Sequence, residues 1–153
     1  MSIKSILSVF YARTQQKKVN RWRENAVALQ EKVFHQLIQK AKNTAFGQDH
    51  QFATLKSHAD FIKQVPIRDY EALRPYIDKV VAGESNILWP GKPKYFAKTS
   101  GTTSGVKYIP ISNESMPEHI KAARTALLCY IAETGKSDFV SGKMIFLQGS
   151  PEM

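Results

Sequence analysis

The sequence predicts an α/β fold: a helical N-terminal half, then the first strands and helix of a larger domain that is left incomplete. Three observations carry this prediction. Apolar residues recur every three or four positions over residues 15–43, the spacing of an amphipathic helix. Two β-like runs, at 94–98 and 108–111, flank a loop of glycines and hydroxyls. A third apolar run, at 143–147, follows another helical stretch, so that strand, helix and strand suggest a crossover unit with too few strands to complete a sheet.

The first elements follow from local signals. Ile3, Ile6, Leu7 and Phe10 repeat at helical spacing, and residues 1–13 lack the apolar block and small-residue cleavage site of a leader, so this segment reads as a helix. A second, long helix covers residues 15–43. Its stripe is Trp22, Ala26, Leu29, Val33, Leu37 and Ala41, widened by Phe34 and Ile38, and Asn43, Thr44 and Gly47 supply stop signals. Ser57 followed by Asp60 is a capping box that opens a short helix over residues 58–64, ended by Pro66. Asp69 caps the next helix, residues 70–74. Pro75 then suits the first position of a further helix that runs to Val81 and stops at Gly83.

Composition shifts at Glu84, which divides a helical segment, 1–83, from the start of the α/β part, 84–153. Ile87, Leu88 and Trp89 make a candidate strand, and residues 90–93 a turn. Ser112 or Asn113 caps a helix over residues 116–134. It places Ile120, Ala123, Leu127 and Ile131 on one face, and Gly135 ends it.

Composition narrows the function classes. A chain of 153 residues with 42% hydrophobic residues is long enough for one cored domain. No apolar run approaches the roughly 18 residues of a membrane span, and a cytoplasmic location without membrane attachment is expected. The lone Cys129, set among Leu127, Leu128 and Ile131, reads as a small buried hydrophobe, and the four histidines show no ligand-like pairing, so no metal ligands are assigned. The net charge of +9 is concentrated early: residues 1–50 hold nine Lys or Arg against three Asp or Glu. Lys17, Lys18, Arg21 and Arg23 form a basic cluster at the expected start of a helix, read as a solvated face rather than a grip on nucleic acid.

One stretch suggests a chemistry, YFAKTSGTTSGVKYIPI at residues 95–111. Gly101 and Gly105 permit turns closed to other residues and a close approach of backbone to ligand. Successive N–H groups in such a turn form an anion nest, Thr99, Ser100, Thr102, Thr103 and Ser104 add hydroxyls, and Lys107 adds a mobile positive charge. Phosphate is the natural guest. Known phosphate motifs do not fit, since three residues, not four, separate the glycines, Val106 precedes Lys107, and G-x-G-x-x-G is absent.

The stretches AKNTAFGQDHQF, DFIKQVPIRDYEALRPYIDKVVAGESNILWPG and FAKTSGTTSGVKYIP, in this order, resemble the N-terminal part of the auxin-responsive acyl-acid amido synthetase family, in particular its bacterial members. That family sits within the adenylate-forming enzymes. The loop alone resembles adenylate formers at large, and the VPIRDYEALRPYI segment narrows the likeness. The resemblance implies the opening of an adenylate-forming domain and a two-step ligase. A carboxylic acid attacks the α-phosphate of ATP, held with Mg2+, and an amine such as an amino acid then displaces AMP. It implies nucleotide binding by Thr99, Ser100, Gly101, Thr102, Thr103, Ser104 and Gly105, and a catalytic role for Lys107 in neutralising the departing pyrophosphate.

Plant members commonly carry one more residue between the second glycine and the lysine, which changes the reach of Lys107. Later family motifs, a Ser-Ser-Glu segment and an Arg-Val-Gly-Asp type segment, find no match. The chain is therefore expected to be an N-terminal fragment, inactive alone, whose partner is the rest of the same enzyme. An acyl-CoA ligase of the same adenylate-forming type, or a non-catalytic basic binding module, stand as alternatives.

Overall fold

The computed structural model describes residues 2–99 and 105–143. Most of them are helical: α1 (Ile3–Glu24), α2 (Ala26–Ala41), α3 (Ala45–Asp49), α4 (His58–Gln64), α5 (Tyr70–Val81) and α6 (Ser115–Thr134). One antiparallel hairpin, β1 (Tyr95–Thr99) and β2 (Lys107–Ile111), separates α5 from α6. The described residues divide into two compact units, 2–26 with 117–143, and 27–116.

The boundary of the first helices differs from the sequence expectation. A helix starts at Ile3, capped by the Ser2 hydroxyl, and runs through the expected start of a second one as far as Glu24. Asn25 then breaks it, its N–H and side-chain amide both turned back on the Arg21 carbonyl. The basic cluster consequently lies in the later turns of α1, with Arg21 and Arg23 in the last one, not at a helix start. There the partial negative charge of the helix C-terminus favours cations, which is a structural reason for Arg21 and Arg23.

In the first unit Ala12, Leu128 and Ile131 pack together, with Val9 and Ala132 around them. The buried hydroxyls of Ser5 and Ser137 are hydrogen-bonded to each other. The buried face of α6 is thus centred on Leu128 and Ile131, while Ile120 and Leu127 of the expected face are exposed. Cys129 is free and half-buried rather than fully enclosed. Gly135 ends α6 with positive φ and an N–H bonded to the Ile131 carbonyl, as expected.

The second unit holds the larger core. Ile38, Ala41, Phe52 and Leu55 are buried, with Phe34, Phe46, Phe61, Val65 and Trp89 packed against them. On α2 the inward face is therefore Phe34, Ile38 and Ala41, and Leu29, Val33 and Leu37 face outward. Thr44 caps α3 by accepting the Gly47 N–H, so Gly47 lies within a helix rather than after one.

Residues 87–89 form no strand. Instead the carbonyls of Asn86 and Ile87 accept the N–H groups of Ala45 and Phe46, the unpaired donors at the start of α3. The capping box of Ser57 and Asp60 is present as predicted. Helix α5 is continuous through Pro75, with no restart there; it forgoes one backbone bond but keeps Ile77 and Val80 buried. Of the expected strand at 143–147, Lys143 is in no strand and residues 144–147 lie outside the described residues.

Candidate phosphate-binding site

The loop of interest is carried by the hairpin. Strand register pairs Tyr95 with Ile111, Phe96 with Pro110, Ala97 with Ile109, Lys98 with Tyr108 and Thr99 with Lys107. Thr99 and Lys107 therefore face each other across the neck of the loop. Gly105 has φ +80° and open space where a Cβ would stand, a backbone conformation that favours glycine. Ser100, Gly101, Thr102, Thr103 and Ser104 lie outside the described residues.

Pro110 within β2 has a physical explanation. The Tyr108 N–H donates to the Tyr70 hydroxyl at 2.9 Å, so residue 108 directs its donor away from β1. Residue 110, two positions on, shares that direction, and a proline there costs the ladder no hydrogen bond. Lys107 and Ile109 keep their donors toward β1.

Lys107 is half-buried, and its ammonium sits over the Tyr70 ring, 5.4 Å from the centroid. Tyr70 opens α5, whose N-cap Asp69 accepts the Ala72 N–H at 2.8 Å. Glu71 is paired with Arg74 at 3.0 Å. Asp69 and Glu71 thus have the capping and helix-surface roles their positions suggest. Tyr70 has more, since it touches the two residues that leave the loop.

Further cations crowd the hairpin. The Lys98 ammonium lies 5.7 Å from the Tyr108 ring centroid, and that of Lys94 lies 5.5 Å from the Tyr95 centroid. Between Glu84 and Glu114 the chain has four lysines, at 92, 94, 98 and 107, and no acidic residue. This run of basic residues is a signal in the sequence itself that the region suits an anion. The contact with Tyr70 had no such signal, because it spans 38 positions that only the fold brings together.

The donor set fits a polyphosphate: a hydroxyl at Thr99, an ammonium at Lys107, and the Gly105 backbone between them in sequence. Among the described residues no group of three His, Cys, Asp or Glu could hold a metal ion.

Comparison with known proteins decides the family. Residues 15–152 match the GH3 family N-terminal domain. The chain belongs to the GH3 family. Similar relatives include two from Arabidopsis thaliana. Indole-3-acetic acid-amido synthetase GH3.15 is 38% identical over 63 residues, 40% of this chain and 11% of the relative. Indole-3-acetic acid-amido synthetase GH3.17 is 29% identical over 99 residues, 60% of this chain and 16% of the relative. The chain thus spans a small part of the length of these GH3 relatives. No helix among the described residues is long and apolar enough to cross a membrane.

Proposed function

We propose that this GH3 chain supplies the phosphate grip of an ATP-dependent acyl-acid amido synthetase. The observation that carries the reading is the hairpin neck, where Thr99 and Lys107 are paired at the base of a glycine and hydroxyl loop. In this reading Thr99, Ser100, Gly101, Thr102, Thr103, Ser104 and Gly105 hold the phosphate oxygens of Mg2+-bound ATP. Lys107 stabilises the charge that builds on pyrophosphate as the acid is adenylated, a reaction class driven by positioning and electrostatics. ATP supplies the leaving group when bound.

The substrates would be a carboxylic acid and an amine such as an amino acid. The two Arabidopsis relatives are amido synthetases, which favours an amine over coenzyme A as the acyl acceptor. We further take residues 1–83 as a helical segment that precedes the start of the adenylate-forming domain at 84–153, and the cytoplasm as the place of reaction. The acid, the amine and the nucleotide base would be met by other parts of the enzyme.

Titration calorimetry with Mg2+-ATP and with pyrophosphate tests the grip. The expected result is saturable binding that Lys107→Gln weakens by about tenfold or more, the scale of a charge-assisted hydrogen bond. Binding that ignores Lys107→Gln would refute the proposal. Exchange of pyrophosphate into ATP, assayed with a panel of carboxylic acids, extends the test to adenylation.

A further inference from the structure

The Tyr70 side chain makes two contacts at the mouth of the loop, one through its ring and one through its hydroxyl. The ring lies under the Lys107 ammonium at 5.4 Å. The hydroxyl accepts the backbone N–H of Tyr108, the next residue, at 2.9 Å. One side chain therefore fixes both the charged end of Lys107 and the backbone from which that side chain departs. Tyr70 is in turn fixed as the first residue of α5, with Asp69 holding the cap behind it.

We propose that Tyr70 is a positioning residue for Lys107, setting the ammonium at the loop neck before polyphosphate arrives; the inference rests on the phosphate-grip reading above. A lysine side chain free in water samples many rotamers, most of them aimed away from the loop. The electron-rich face of a tyrosine attracts the ammonium without neutralising it, unlike a carboxylate. No described carboxylate is paired with Lys107, and the ring contact itself leaves the charge of the ammonium intact. The Tyr108 anchor keeps β2 from sliding along α5, so the reach of the lysine is held constant.

The test uses the chain with lysine side chains labelled for NMR, alongside the titration with Mg2+-ATP and pyrophosphate. Ring current from Tyr70 should displace the Hε signals of Lys107, identified by Lys107→Arg, upfield of the other lysines in the wild-type protein. Tyr70→Leu should abolish that displacement and weaken pyrophosphate binding by about two- to fivefold, the scale of an exposed cation–π contact. Tyr70→Phe keeps the ring, so the displacement should persist while binding falls less.

Absence of the displacement in the wild-type chain would overturn the inference whatever the variants do. So would unchanged affinity in a Tyr70→Leu protein of native far-UV spectrum, if Lys107→Gln still weakens binding; the phosphate reading would then survive. Should Lys107→Gln change nothing, the phosphate reading fails and takes the inference with it.

Discussion

Replacing Gly47 with alanine sets two known effects against each other. Alanine is the better helix former by about 1 kcal/mol, so on propensity alone Gly47→Ala would stabilise α3. Geometry opposes it. A Cβ on residue 47 would lie 2.1 Å from the Ala41 carbonyl oxygen, 2.9 Å from its carbon and 3.1 Å from Lys42 Cα, all of them backbone atoms. That oxygen is held in place because it accepts both the Thr44 N–H at 3.0 Å and the Thr44 hydroxyl at 2.7 Å. Relief requires moving the α2–α3 junction, at an overpacking cost of about 1–3 kcal/mol. The same movement weakens the Thr44 cap on the Gly47 N–H, worth about 1 kcal/mol. The net expectation is a loss of about 2 kcal/mol. Equilibrium urea unfolding, followed by circular dichroism and tryptophan fluorescence, should show a lower midpoint with an unchanged slope. A midpoint equal to or above that of the wild type would refute the close approach.

Ser57→Ala should cost about 1 kcal/mol by removing the capping-box acceptor of the Asp60 N–H, measured by the same denaturation. It should also flatten the acid limb. Asp60 titrates below the ordinary value of 3.8, first through its hydrogen bond with Ser57 and then through the Lys56 N–H. Its stabilisation is therefore complete above pH 3.8 and is lost as pH falls through the lower folded value, a loss that should shrink in the variant. Tyr76 is the alkaline counterpart. Burial, followed by the 2.7 Å hydrogen bond to Asp49, raises its phenol above 10.0. Stability from this group is present below pH 10.0 and lost as pH rises through the folded value, so Tyr76→Phe should show a shallower decline in alkaline unfolding.

Features set by a few neighbouring residues were legible in the sequence. The Ser57 box, the Asp69 cap and the Gly135 stop each depend on groups within a turn of one another, and the structure has all three. Asn25 was not legible as a break, because the apolar period runs through it undisturbed and only the return of its amide to Arg21 ends α1. Pro75 misled for the opposite reason. A local breaker was overridden by the burial of Ile77 and Val80 on the far side of it. The apolar stripe of α2 gave the right period and the wrong edge, since which flank faces inward is chosen by Phe52, Leu55 and Phe61, all distant in sequence. Of the site, Thr99, Gly105 and Lys107 came from composition and spacing, whereas the pairing of Thr99 with Lys107 came only from the strand register, which extends the hairpin one residue further toward the loop on each side than the apolar runs indicated. Tyr70 came only from the fold.

The contact between Tyr70 and Lys107 raises the question of whether it would trap the ammonium rather than present it. Magnitudes decide. A cation–π contact at a partly exposed site is worth about 0.5–1 kcal/mol. A hydrogen bond between an ammonium and a phosphate oxygen is worth about 1.5–3 kcal/mol net. The anion is therefore the stronger partner, and because the ring engages one side of the ammonium and leaves N–H donors on the other, both contacts can be made together. The holding is useful because a lysine side chain carries about 2 kcal/mol of rotamer entropy, part of which is then already lost before binding. A carboxylate in the place of Tyr70 would give the opposite balance, competing with phosphate for the same charge. An aromatic residue at the first position of α5 is thus a better support for a phosphate-binding lysine than an acid would be.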